Sequence, residues 1–138
     1  TGDRCAIFRF PGGSINVFNS RIYGELTAEM LRRGFKFYDW NVSAGDAVKK
    51  TIKKNIIDNV ANNVRRDQPN IVLMHDIHTE SVDAALKLIP KLEKEGYQLV
   101  TISEMAEAKG QKLENGEKYC DFTAKTLSRA KENQESEE

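Results

Sequence analysis

The chain has 138 residues, of which 39% are hydrophobic and 30% charged, the size and makeup of one ordinary globular domain with no room for two. That excludes collagen-like, low-complexity and wholly disordered chains. Lys plus Arg and Asp plus Glu stand at 21 each, so the charge balance points to neither a nucleic-acid backbone nor an anionic membrane as partner.

No apolar run approaches the length of about 18 residues that a membrane helix needs. The chain opens on Thr1-Gly2-Asp3 with no Met and no signal peptide, and reaches apolar sequence by Cys5. It is therefore expected to be a piece of a longer product. Cys5 and Cys120 are too few for a disulfide framework and lack metal-ligand spacing. They read as one buried small hydrophobe and one tail thiol, with a long-range bridge as the other reading.

Residues 5–10 form a short β-favourable run stopped by Pro11-Gly12-Gly13. From Ser20, the recurrence of Ile22, Leu26 and Met30 predicts a helix, with Gly34 at its C-cap. The aromatic-rich stretch 35–41 predicts a second strand. Val48, Ile52, Ile56, Val60 and Val64 predict a long helix with Asp46 at its N-cap. The continuous run 71–74 predicts a third strand, covered on both faces. Thr79 or Ser81 then caps a helix carrying Val82, Ala85, Leu86, Ile89 and Leu92 and ending at Gly96, with a kink or early stop at Pro90. Residues 98–102 read as a fourth strand, and Ser103 caps a short helix closed by Gly110. The charged remainder to Glu138 reads as a peripheral helix or frayed tail. The whole is an α/β chain, a parallel β/α arc with right-handed crossovers, expected to be part of something larger. It divides into a domain over 1–109 and an extension over 110–138.

In such folds the functional residues gather where strands end. Three polar clusters qualify: Arg9 to Ser14, Asp39 to Asp46, and His75-Asp76-Ile77-His78. Each also has a plain reading. Arg9 is then a loop-pinning charge, Pro-Gly-Gly a turn, Asp46 a cap and His75 a satisfied core histidine. His75 and His78 can ligate a metal, although His78 reads better as a solvated helix-entry residue. Pro11-Gly12-Gly13-Ser14 precedes a helix but lacks GxxxxGK and GxGxxG, so it is a weak phosphate signal.

Taken in this order, the clusters resemble the polysaccharide deacetylases of the NodB-homology type, carbohydrate esterase family four. Arg9-Phe10-Pro11-Gly12-Gly13 resembles that family's third motif. Residues 39–46 resemble the fourth, with Asp46 at its key Asp. Ile71-Val72-Leu73-Met74-His75-Asp76 resembles the fifth, a strand carrying Leu-x-His-Asp. The resemblance covers residues 5–109 and implies the C-terminal portion of a distorted (β/α) barrel. It implies hydrolysis of N-acetyl groups on an N-acetylglucosamine polymer, with peptidoglycan preferred over chitin, and hence an extracellular or cell-wall location.

The family uses a divalent metal, zinc first among candidates, held by one Asp and two His. By the same resemblance His75 is the general acid, with its pKa raised by a neighbouring carboxylate. Asp46 orients it, and Arg9 pins the catalytic base. Leu73 lines the acetyl pocket, Pro11 and Gly12 border the sugar groove, and Trp40 is the aromatic available from the strand. Gly12 stands where the third motif often has an aromatic residue, and Ser43 and Ala47 where the fourth often has Asp and Trp. The first motif, Thr-Phe-Asp-Asp-Gly, and the paired histidines of the second are nowhere in the chain. The expected partners are therefore the missing N-terminal half of the barrel, or a second copy, and a glycan. The alternative is a non-catalytic glycan-binding or assembly piece.

Overall fold

The structure, a computed structural model, describes residues 6–14, 16–48 and 50–110. Cys5, Cys120 and nearly all of the expected extension lie outside them. The chain folds as two compact units, one of residues up to Asp39 together with those from Ile102, the other Trp40–Thr101.

In the first unit β1 (Ile7–Phe8) pairs in parallel with β2 (Lys36–Phe37), Phe8 opposite Phe37. Parallel neighbours need a crossover, and α1 (Tyr23–Arg32) is part of it. The helix starts three residues later than the pattern predicts, with Ile22 at its N-cap and no side-chain cap bond. Its end follows the sequence closely. Gly34 takes φ 83°, its N–H reaches the Leu31 carbonyl at 2.8 Å, and the Phe35 N–H reaches that of Met30 at 2.9 Å, the paired bonds of a Schellman cap. The core of this unit is aromatic. Phe10 meets Phe8 edge-on with ring centres 4.8 Å apart and Phe37 at 5.1 Å, geometry that suits the ring quadrupoles. The helix α4 (Ile102–Ala108) contains Ser103 rather than being capped by it.

In the second unit β3 (Val42–Ser43) pairs in parallel with β4 (Val72–Leu73). Between them runs α2 (Lys53–Asn63), and α3 (Thr79–Lys94) follows. Val42, Ala44, Ile56, Val60, Ala84, Leu88 and Leu92 form one buried cluster, with Val72, Met74 and Tyr97 packed against it.

Several expectations change here. The strand predicted over 35–41 shortens to Lys36–Phe37, and the next strand, Val42–Ser43, begins just beyond the predicted bounds, in the other unit. Asp39 is held by Ser14 of the first unit, whereas the Asn41 side chain donates to the Pro69 carbonyl at 2.8 Å and accepts from the Ile71 N–H at 2.7 Å. Asn41 thereby extends the β3–β4 ladder with its own amide. The described strands are parallel, as expected, but they make two pairs rather than one four-stranded arc. Residues 98–100 are not strand among the described residues, and Leu99 and Val100 are exposed.

The long helix begins at Lys53, not after Asp46. Lys50 sits at φ 63°, outside the right-handed helical region, and Val48 and Ile52 are exposed. In α3 the N-cap is His78, again without a side-chain bond, so neither Thr79 nor Ser81 caps it, and His78 is the exposed entry residue expected. Pro90 does not stop this 16-residue helix. Pro90 and Leu86, whose carbonyl loses its N–H partner, are both exposed, so water can serve that oxygen. The buried face of α3 also differs. Ser81, Ala84, Leu88 and Leu92 point inward, while Val82, Leu86 and Ile89 of the predicted stripe are exposed.

Candidate functional site

In each parallel pair the loops after the two strands are tied together through an aspartate. In the first unit, Pro11-Gly12 forms a turn closed by the Gly13 N–H on the Phe10 carbonyl at 3.0 Å. Gly12 at φ 73° is where such a turn needs glycine. Behind it the Ser14 N–H donates to Asp39 Oδ1 at 2.9 Å, and its hydroxyl donates to Oδ2. Arg9 is exposed and donates from Nε to the Tyr38 carbonyl at 3.2 Å. Pro11 and Gly12 are exposed beside it in sequence.

In the second unit the loop after β3 carries Asp46 and the loop after β4 carries His75. The Asp46 side chain is 2% exposed and that of His75 39%. His75 Nδ1 lies 2.8 Å from Asp46 Oδ1, the His75 backbone N–H donates to Oδ2 at 2.6 Å, and the Ser81 hydroxyl donates to the same Oδ2 at 2.7 Å. Burial pushes the Asp46 carboxyl up, but the hydrogen bonds from the His75 ring, the His75 N–H and Ser81, with the His75 charge, outweigh it. The carboxyl is held below its ordinary value. An ionised carboxylate only accepts, so Nδ1 of His75 carries the hydrogen and Nε2 is left as the nitrogen able to exchange a proton with a bound molecule. The cap role read for Asp46 is thereby replaced by a buried pairing with His75. Leu73 is half-buried in β4, its carbonyl taking the Ala44 N–H at 3.1 Å, and Trp40 is half-buried at the start of this unit.

The loop that presents Asp46 is itself fixed. Asn59 of α2 donates to the Ala44 carbonyl at 3.0 Å. Gly45 has φ 68°, and a Cβ there would lie 2.7 Å from the Asn59 amide nitrogen. Gly45→Ala is therefore expected to destabilise the chain by about 1–2 kcal/mol from the left-handed backbone alone, with a further loss as Asn59 is displaced. Urea denaturation of the two proteins checks this, and an unchanged midpoint would refute the account.

The structure thus brings Asp46 and His75 together and adds Ser81 and Asn59, which the sequence reading did not place in the site. Ser81 had a readable signal, since it lies in helical register with Ala84, Leu88 and Leu92. A hydroxyl on a buried stripe calls for a buried acceptor. Among the described residues no three His, Cys, Asp or Glu side chains converge into a group able to hold a metal ion. The described residues thus do not fit a divalent ion, and no step is routed through one.

No family model matches the chain. It is 37% identical over 112 residues to the peptidoglycan-N-acetylmuramic acid deacetylase PdaC of Bacillus subtilis, covering 81% of this chain and 21% of that protein. The chain is homologous to the peptidoglycan deacetylases. The peptidoglycan-N-acetylglucosamine deacetylase PgdA of Listeria monocytogenes is 28% identical over 89% of the chain and 23% of its own length. Among solved structures, the catalytic domain of the peptidoglycan N-acetylglucosamine deacetylase of Eubacterium rectale superposes with a TM-score of 0.69 at 30% identity, over 89% of this chain and 54% of that domain. The chain therefore spans about a fifth of the length of these two curated deacetylases and about half of the solved deacetylase domain.

Proposed function

We propose that this chain is the C-terminal part of a peptidoglycan deacetylase of distorted (β/α)-barrel fold and supplies the proton-donating side of its site. The observation that carries the reading is the Asp46–His75 pair, a part-exposed imidazole held by a buried carboxylate, in a chain homologous to peptidoglycan deacetylases. Hydrolysing an acetamide requires a proton for a poor leaving amine. His75 Nε2 delivers it as general acid while Asp46 holds the ring and balances the imidazolium charge. Leu73 and Trp40 line the acetyl and sugar pockets, Pro11 and Gly12 border the groove, and Arg9 pins the catalytic base. That base, and the ligands for a divalent metal, zinc first among candidates, belong to sequence outside this chain. The isolated chain is accordingly inactive and associates with the remaining part of the barrel.

The substrate is the N-acetylglucosamine of peptidoglycan, at the cell wall or outside the cell. N-acetylmuramic acid is the second reading, favoured by the 37% identity to PdaC. The test is acetate release from purified peptidoglycan by the full-length gene product, with mass spectra of the muropeptides to show which sugar has lost its acetyl group. Acetylation left intact by a folded full-length protein would overturn the reading.

A further inference from the structure

Ser81 occupies a position that α3 otherwise fills with apolar side chains. It is 2% exposed, on the same buried face as Ala84, Leu88 and Leu92. A buried hydroxyl requires a partner, and here the partner is Asp46 Oδ2 at 2.7 Å. The same oxygen takes the His75 backbone N–H at 2.6 Å. With Oδ2 doubly engaged, Oδ1 alone meets the imidazole, at 2.8 Å, and the carboxylate cannot turn without breaking two bonds. We propose that Ser81 is a positioning residue of the Asp46–His75 pair, holding the carboxylate in one orientation and withdrawing charge from it, and so setting the proton affinity of His75. The inference rests on the reading of His75 as the general acid only for its bearing on catalysis.

The sign of the effect follows from the hydrogen bond. A donor on Oδ2 stabilises the anion and spreads its charge away from Oδ1. Without it the carboxylate holds a protonated imidazole more strongly, and the His75 pKa rises. The other titratable groups on the surrounding segments are Lys50, Asp76, His78 and Glu80, all exposed, and Asp83, which is paired with Lys53 of α2 at 3.5 Å.

The chain holds two histidines, so its ring nitrogens can be followed by NMR after histidine labelling, with His78→Gln assigning the signals. Ser81→Ala is expected to raise the His75 pKa by about half a unit or more, and Ser81→Thr, which keeps the hydroxyl, to restore it. A midpoint unmoved in a folded Ser81→Ala protein, or one lowered as in Asp46→Asn, would overturn the proposal and leave Ser81 a packing residue. Deacetylase activity does not enter this measurement, so its failure is distinguishable from failure of the general-acid reading.

Discussion

Under the function proposed above, His75→Ala in the full-length protein is expected to lower kcat by roughly 10²–10⁴-fold, the range that a positioned general acid contributes, while the protein stays folded. The fold is expected to survive because the His75 side chain is 39% exposed and sits in a loop after β4, outside the cluster built on Val42, Ile56, Val60 and Leu88. The missing ring leaves one Asp46 oxygen without its donor, while Oδ2 keeps the backbone N–H and Ser81. Steady-state kinetics on peptidoglycan, with circular dichroism as the folding control, makes the comparison. If acid catalysis is what the ring provides, KM changes little and the loss lies in kcat. Turnover equal to that of the unmodified enzyme would remove His75 from the mechanism, and the Asp46–His75 pair would then be a structural tie between two loops.

Asp46 has the larger expected effect on stability. Asp46→Ala orphans three donors in one buried place: the His75 N–H, the His75 ring and the Ser81 hydroxyl. At about 1–3 kcal/mol for each unsatisfied buried group, the loss is large enough to unfold a marginal domain. Asp46→Asn is the informative variant, because it keeps the shape and removes the charge. It is expected to cost about 10²-fold or more in kcat, since the ring loses the acceptor that selects its tautomer. The pH dependence has a definite sign. The folded carboxyl lies below its ordinary value of 3.8. Its ionised form therefore stabilises the fold fully above that value, and this contribution is lost as the pH falls through the lower, folded value. Urea melts from neutral pH downward should show the unmodified protein and the Asp46→Asn variant differing most above roughly pH 4 and converging below it. A gap constant across the series would mean that the charge of Asp46 plays no part.

Much of this site is legible in the sequence. His75 stands out because it closes the apolar run 71–74, Asp46 because it stands before a helical pattern, and their order after Arg9-Phe10-Pro11-Gly12-Gly13 resembles a known deacetylase pattern. Gly34 and Gly96 are readable as helix ends, since a helix terminus in the left-handed region favours a residue without Cβ, and both hold φ above 80°. The plain reading of Asp46 as a helix cap fails for a local reason. Lys50 turns left-handed, which delays α2 to Lys53 and frees the carboxylate to reach α3.

Residue types and their spacing by themselves determined the alternation of strand and helix and the glycine-marked ends, because these depend on chemistry carried along a few neighbouring residues. The tertiary structure alone decided which face of α3 is buried. That helix is apolar on more than one side, and packing against α2 selected Ser81, Ala84, Leu88 and Leu92 over Val82, Leu86 and Ile89. It also decided that the strand expected over 35–41 is confined to Lys36–Phe37 while Val42–Ser43 joins a second parallel pair, because strand pairing depends on which edges meet. Ser81 entered the site by the same choice, since only burial of its face brings the hydroxyl to Asp46.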